Sequence, residues 1–173
     1  MRFVSCSAIL LTVLMGASSL TAQEKRASPH ETVNATVDGA KISVTYGRPY
    51  AKGRKIVGGL VPYGQVWRTG ADEATTLVTD KDLMFGGTHV AAGTYTLYTL
   101  PGENGWQLII NKQTKQWGTE YSQGQDLARI PMKVTKTGSP VEQFTIAVND
   151  TAAGGELKLT WENSEVTAPF TVM

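Results

Sequence analysis

An Asp38-Gly39 pair stands between two runs in which apolar and polar residues alternate, and this arrangement limits the local fold most strongly. The apolar positions of the two runs are Val33, Ala35, Val37, Ile42, Val44 and Tyr46. Strict alternation is typical of a strand with one buried face. Asp-Gly favours a tight primed turn, because such a turn requires positive φ. The spacing therefore predicts a β-hairpin centred on this pair.

Short runs rich in β-branched and aromatic residues continue to the end of the chain, separated by turn residues. These runs cover residues 75–79, 83–85, 88–91, 94–100, 106–111, 128–135, 143–148, 157–161 and 166–172. A helical period is absent apart from a weak one at 119–127. The pattern predicts an all-β fold, an antiparallel β-sandwich of jelly-roll or Ig-like type in preference to a barrel.

The first 22 residues have the three parts of a secretory signal peptide. Arg2 gives a positive start, residues 3–15 are largely apolar, and residues 16–22 are mostly small. The apolar run is too short for a membrane-spanning helix. We expect cleavage after Ala22, or alternatively after Ser19, and export to the periplasm or the medium. A flexible arm over 23–32 and a single β-sandwich domain over 33–173 are predicted to follow.

Cysteine content and charge exclude several classes of protein. Cys6 is the only cysteine and lies within the predicted signal, so the mature chain has no disulfide and no thiolate ligand or nucleophile. Removing residues 1–22 removes one base and no acid, which leaves 15 basic and 15 acidic residues. A net charge of zero gives no long-range attraction to nucleic acid or to an anionic membrane. We predict no nucleic-acid partner and no membrane span, and leave the oligomeric state open.

The stretch 46–75 shows neither a helical nor an alternating period, although strand-like sequence flanks it on both sides. A long irregular connection inside a compact domain is usually functional or disordered, and this one is too rich in aromatic and aliphatic residues to be disordered. It contains three arginines, three tyrosines and a tryptophan beside two acids. The candidate ligand-binding residues are Tyr46, Arg48, Arg54, Trp67, Arg68, Asp72 and Glu73.

Familiar catalytic and metal-binding signatures are missing. The sequence has no G-x-S-x-G elbow and no phosphate-binding loop. His30-Glu31 begins like a zinc-protease helix, but residue 34 is not histidine. The two histidines, His30 and His89, are fewer than the three protein ligands usual for catalytic zinc. We therefore predict no metal site, no cofactor and no catalytic residue, and interpret both histidines as solvated or packed.

Two interpretations of the arginine-rich stretch remain open. In the structural one, Trp67 fills the end of the core, Arg68 bridges to Glu73 or Asp72, and arginines satisfy carbonyl groups of the loop. In the functional one, the arginines hold a carboxylate, phosphate or sulfate, and aromatic side chains form the walls of the site. The aromatic and acidic side chains would equally suit a glycan.

Three functions follow from these interpretations. The leading hypothesis is non-catalytic binding of a small polar ligand, glycan or partner through the 46–73 stretch. The alternatives are a hydrolase that uses Glu73 or Asp72 with an arginine, and a purely structural envelope protein. Catalysis by the two acids together is disfavoured, because neighbours on a strand point to opposite faces. The remaining tryptophans, Trp106, Trp117 and Trp161, are predicted to lie in the core.

The block V-W-R-T-G-A-D-E-A-T at 66–75 resembles a motif of an exported bacterial family, domain of unknown function 2911. Further matching positions are Ser28-Pro29, Tyr46-Gly-Arg-Pro49, Gly53-Arg54, Ala92-Gly93-Thr-Tyr95, Pro101, Trp106, Asn111, Trp117-Gly118 and Trp161. Asp72 stands where the family pattern leads us to expect asparagine. The resemblance covers nearly the whole mature chain and implies export and a shared fold, but no activity.

Overall fold

A computed structural model describes residues 27–173, which form an all-β domain. Its strands are β1 His30–Val37, β2 Ala40–Gly47, β3 Thr76–Thr79, β4 Leu83–Phe85, β5 Thr88–Val90, β6 Gly93–Leu100, β7 Trp106–Asn111, β8 Asp126–Thr151 and β9 Gly154–Val172. A 3₁₀ turn at Gln123–Gln125 falls in the stretch with the weak helical period. The predicted signal peptide and residues 23–26 of the predicted arm lie outside the described residues.

The nine strands form one antiparallel sheet in the order β1-β2-β3-β6-β7-β8-β9-β4-β5. The sheet does not close into a barrel, and the predicted antiparallel all-β class is confirmed. Strand β1 begins at His30, so residues 30–32 of the predicted arm belong to the sheet. Residues 27–173 contain no helix with the length and hydrophobicity of a membrane span.

The first hairpin forms where the Asp-Gly pair predicts it. Val37 pairs with Ala40 across the turn, and the register continues to His30 opposite Gly47. Asp38 and Gly39 have φ values of 46° and 76°. Glycine reaches such values without steric cost, and aspartate is among the few other residues that tolerate them. The turn therefore sets which face of β1 and β2 is buried.

Strands β8 and β9 are much longer than the sequence predicts. The runs 128–135 and 143–148 both lie in β8, and 157–161 and 166–172 both lie in β9. The prediction of four separate strands was wrong. The turn residues between the first two runs do not end the strand, because β8 continues to pair with β9 through shifts of register. The register shifts between Lys136 and Val141, and again between Val141 and Thr145. Such irregularities bend a strand without ending it.

Because β8 is long, it contacts several other strands, among them β7, β9 and β2. Its first part pairs with β7, and residues from Lys133 onward pair with β9. Phe144, in the second part, packs edge-on against Tyr46 of β2 with ring centroids 5.7 Å apart. One strand thus connects the two parts of the sheet, and its apolar residues share a core with β2.

Candidate functional site

Residues 48–75 connect β2 to β3 as the long irregular segment that the sequence predicts. The segment is held by backbone hydrogen bonds to β8 and β6. Ala51 N–H donates to the Glu142 carbonyl at 2.7 Å, and Phe144 N–H donates to the Pro49 carbonyl at 2.9 Å. Trp67 and Thr99 exchange two bonds of 2.8 and 3.0 Å. Because its backbone groups are paired in this way, the segment is fixed in place without strand structure.

Four aromatic rings anchor this segment to the core. Trp67 packs edge-on against Phe144 at 5.0 Å and stacks on Trp161 at 5.8 Å with an interplanar angle of 20°. Phe144 in turn contacts both Trp161 and Tyr46. The expectation that Trp67 fills the end of the core is confirmed. Each such pair adds about 0.5–1.5 kcal/mol beyond burial alone.

A concave cavity of about 580 Å³ lies over this cluster. Its lining is basic and aromatic with one carboxylate, and consists of Ala27, Ser28, Pro49, Tyr50, Lys52, Arg54, Leu60, Trp67, Arg68, Gly70, Ala71, Asp72 and Trp161. The volume is in the range of small-molecule sites, about 300–1,000 Å³. Four of the seven predicted site residues, Arg54, Trp67, Arg68 and Asp72, therefore meet at one concavity.

Arg68 does not form the ion pair that the structural interpretation predicts. Its Nε donates to the Gly70 carbonyl at 3.2 Å. Within residues 27–173 its guanidinium forms no salt bridge, so the expected bridge to Asp72 or Glu73 is wrong. Its stem instead packs on Gly118, where an added Cβ would lie 2.8 Å from Arg68 Cδ. Among residues 27–173, the terminal nitrogens of Arg68 have no hydrogen bond or ion pair, and the residue lines the cavity.

Arg54 and Lys52 add positive charge to the same wall. Arg54 donates from Nε to the Ala51 carbonyl at 3.0 Å and from Nη2 to the Tyr50 carbonyl at 2.6 Å. The backbone N–H of Lys52 donates to Glu142 Oε1 at 2.8 Å, which fixes the start of its side chain. Arg54 therefore satisfies loop carbonyls, as the structural interpretation predicts, and still borders the cavity.

Arg48 and Tyr46 serve the scaffold and are absent from the cavity lining. Arg48 donates from Nε to the Phe144 carbonyl at 3.1 Å and from Nη2 to Thr145 Oγ1 at 2.8 Å, and it pairs with Glu31.

Tyr46 is 1% exposed, and its hydroxyl accepts the Ile146 N–H at 2.8 Å. Burial raises the pKa of Tyr46 above its ordinary value.

His30 joins Asp72 and Glu73 in a group that the sequence does not predict. Its Nε2 lies 3.4 Å from Asp72 Oδ2 and 3.2 Å from Glu73 Oε2. Asp72 has a φ of 63°, so residues 72–73 do not follow a strand and both carboxylates turn to one imidazole. The expectation that they point to opposite faces was therefore wrong. The other histidine, His89, contacts Asp82 at 2.7 Å in the β4–β5 region.

Trp117 is a second residue that the sequence misplaces. Trp106 and Trp161 are buried as predicted, whereas 46% of Trp117 is exposed. Trp117 pairs with Glu73 through an isolated bridge, and the next N–H, of Gly118, donates to the Asp72 carbonyl at 2.9 Å. Its backbone thus supports the site while its ring meets solvent. The Trp-Gly pair beside a turn is the sequence signal for this role.

The fold and the site together define an all-β protein with a basic, aromatic-walled cavity beside a histidine–carboxylate group. The chain belongs to a family described as protein of unknown function (DUF2911), whose model matches residues 28–170. This assignment confirms the resemblance carried by the Val66–Thr75 block. No curated protein and no solved structure gives a significant match.

Proposed function

We propose that this protein binds a small ligand carrying an anionic group, without converting it, in the cavity beside Arg68. The observation that carries the proposal is the state of Arg68, whose guanidinium lines the cavity and uses one nitrogen on Gly70. Guanidinium groups bind carboxylate, phosphate and sulfate through paired hydrogen bonds. Lys52 and Arg54 add charge of the same sign, which favours an anion.

The walls favour a ligand that also has a ring or a sugar face. Tyr50, Trp67 and Leu60 line the cavity with apolar surface, and Trp161 forms part of the same lining. Aromatic faces bury large areas of a ligand at little entropic cost, while the arginine sets its orientation. An acidic sugar or a small aromatic acid would have both features.

A hydrolase is the weaker alternative. Glycoside hydrolysis needs two carboxylates on either side of the bond to be cleaved. Among the described residues that line the cavity, Asp72 is the one acid, and it contacts His30. A purely structural role is also less favoured. Stability of the fold alone does not require a cavity lined by an arginine that forms no ion pair within the described residues.

Ligand binding is tested by thermal unfolding and tryptophan fluorescence with phosphate, sulfate, glucuronate and benzoate, and with glucose as the neutral comparison. An anion is expected to raise the melting temperature and to change the tryptophan emission, because Trp67 and Trp161 line the cavity. Arg68→Gln is expected to abolish both effects, while the matched charge-removing variant Lys133→Gln, on exposed β8 surface, retains them. Binding that survives Arg68→Gln, or failure of every anion to bind, would overturn the proposal.

We further propose that the protein acts outside the cytoplasm. The support is the tripartite pattern of residues 1–22, a positive start, an apolar run and a stretch of small residues. Fractionation of expressing cells with N-terminal sequencing of the product tests this. A product that begins near residue 20 or 23 in the periplasm or medium is expected, and an uncleaved cytoplasmic product would contradict it.

A further inference from the structure

We propose that His30, Asp72 and Glu73 bind a divalent transition-metal ion at the rim of the cavity. The three residues come from the start of β1 and from the end of the 48–75 segment, and are brought together by the fold. Their ligating atoms, one imidazole nitrogen and two carboxylate oxygens, all lie within 4.8 Å of one another. The site is independent of the anion-binding proposal, because it requires neither Arg68 nor an organic ligand.

The two distances from the imidazole to the carboxylates fit a shared ion. Two ligands of a tetrahedral zinc ion with bonds near 2.0–2.1 Å lie about 3.3 Å apart. His30 Nε2 lies 3.4 Å from Asp72 Oδ2 and 3.2 Å from Glu73 Oε2. A charge-assisted hydrogen bond from imidazolium to carboxylate is shorter, about 2.7–2.9 Å. One Nε2 proton, moreover, cannot point directly at two carboxylates, whereas one ion can bind all three groups.

The donor set also indicates which ion would bind. A neutral imidazole and two carboxylates supply two negative charges, which balance a divalent cation. Nitrogen and oxygen donors without a thiolate suit Zn²⁺, Mn²⁺ and Fe²⁺, and the nitrogen disfavours Mg²⁺ and Ca²⁺. Three protein ligands leave at least one coordination position open, as in catalytic zinc sites. Asp72 lines the cavity, so an ion held there would border it.

The chain contains a natural control for this site. His89 Nε2 lies 2.7 Å from Asp82 Oδ2, and Asp82 Oδ1 accepts the Ala92 N–H at 2.8 Å. This pair has the same residue types and the distance of an ordinary charge-assisted hydrogen bond. Within residues 27–173, one group of three potential ligands is close enough to share an ion, and it consists of His30, Asp72 and Glu73. His89 and Asp82 have no third potential ligand among these residues within that distance. Substitutions at the control pair therefore remove a histidine–aspartate contact without removing the proposed ligands.

The test uses the untagged protein, stripped with a chelator and titrated with ZnCl₂ by isothermal calorimetry, with Mg²⁺ as the comparison ion. We expect saturable binding of one Zn²⁺ per chain, a rise in melting temperature with Zn²⁺, and no response to Mg²⁺. Each of His30→Gln, Asp72→Asn and Glu73→Gln is expected to weaken binding by about tenfold or more, since even groups that merely orient a ligand contribute about that much. Asp82→Asn and His89→Gln should leave binding unchanged.

Three results would overturn the proposal. These are no saturable Zn²⁺ binding, binding that is unchanged in all three ligand variants, and binding lost equally in the control pair. Circular dichroism of each metal-free variant shows whether it is folded, and the three positions give independent tests if one variant is not. Anion binding at Arg68 is measured separately in metal-free protein, so failure of either proposal can be distinguished from failure of the other.

Discussion

The hydroxyl of Tyr46 accepts a hydrogen bond of 2.8 Å from the backbone N–H of Ile146, one hundred residues further along the chain. Both residues are buried, at 1% exposure. Ile146 lies on the inward face of β8, near the place where the irregular segment and the aromatic cluster meet. The bond ties the end of the first hairpin to the strand that supports the cavity floor. We therefore expect this hydrogen bond to help hold β2 and β8 in the relative position that the site requires.

Tyr46→Phe is expected to reduce the free energy of unfolding by about 1–3 kcal/mol, because it leaves the buried Ile146 N–H without its acceptor. Urea denaturation measures the change. Tyr95→Phe is the matched control: its hydroxyl donates to the Ala91 carbonyl at 2.9 Å in an exposed position, and its loss should cost less than about 1 kcal/mol. Equal losses in the two variants would show that the buried bond has no special role.

Trp67→Ala is expected to destabilise the protein by about 3 kcal/mol, since it removes a ring packed on Phe144 and Trp161. Trp67→Phe should recover part of this loss because it retains an aromatic contact. Trp117→Ala serves as the comparison, and its half-exposed ring should contribute no more than about 1 kcal/mol. Chemical denaturation checks all three, and a greater loss for Trp117→Ala would contradict the assignment of Trp67 to the core.

Arg48→Ala and Arg68→Ala are expected to differ, although both remove an arginine from the same segment. Loss of Arg48 leaves the part-buried Phe144 carbonyl and Thr145 hydroxyl without their donor, at about 1–3 kcal/mol, whereas the exposed Glu31 carboxylate stays hydrated. Loss of Arg68 should lower the free energy of unfolding by no more than about 1 kcal/mol, because Arg68 forms no ion pair within the described residues and lines the cavity. Thermal and urea unfolding give the comparison. A larger loss for Arg68→Ala would make that residue structural.

Stability should decline between pH 10 and pH 12 through Tyr121. Burial, the hydrogen bond to Asp126 and the charge of that carboxylate raise the pKa of Tyr121 from 10.0 to about 12. A raised folded pKa means that the contribution to stability is complete below pH 10 and is lost as the pH rises through about 12. Phenolate absorbance and urea midpoints across this range measure it. Tyr121→Phe should show a shallower decline, and an unchanged slope would contradict the assignment.

Local chemistry made much of the fold predictable. The alternating residues and the Asp38-Gly39 turn specify the first hairpin, because turn geometry and side-chain period act between neighbours. The lengths of β8 and β9 were not predictable, because an irregular pairing depends on the partner strand as well as on the turn residues themselves. The presence of an irregular segment over 48–75 followed from missing periodicity, whereas its attachment to β6 and β8 did not.

The candidate site was predictable in its residue types and not in their roles. The sequence singled out three arginines, yet only the contacts separate Arg48, held by Phe144 and Thr145, from Arg68, which faces the cavity. His30 was interpreted as a residue of a polar arm, and its approach to Asp72 arises from pairing of β1 with β2. Trp117 is predicted to be buried from its hydrophobicity, but hydrophobicity does not show whether a loop side chain faces the core or the solvent.

Local sequence patterns specify the all-β class, the first turn and the stretch in which arginines, aromatic residues and acids are concentrated. Those features depend on φ preferences, side-chain period and composition, which act within a few residues. Packing of the whole domain determines which arginine has its hydrogen bonds satisfied, which tryptophan is exposed, and that one histidine contacts two adjacent carboxylates. Each of these depends on contacts between residues tens of positions apart, and only the packed chain brings such residues together.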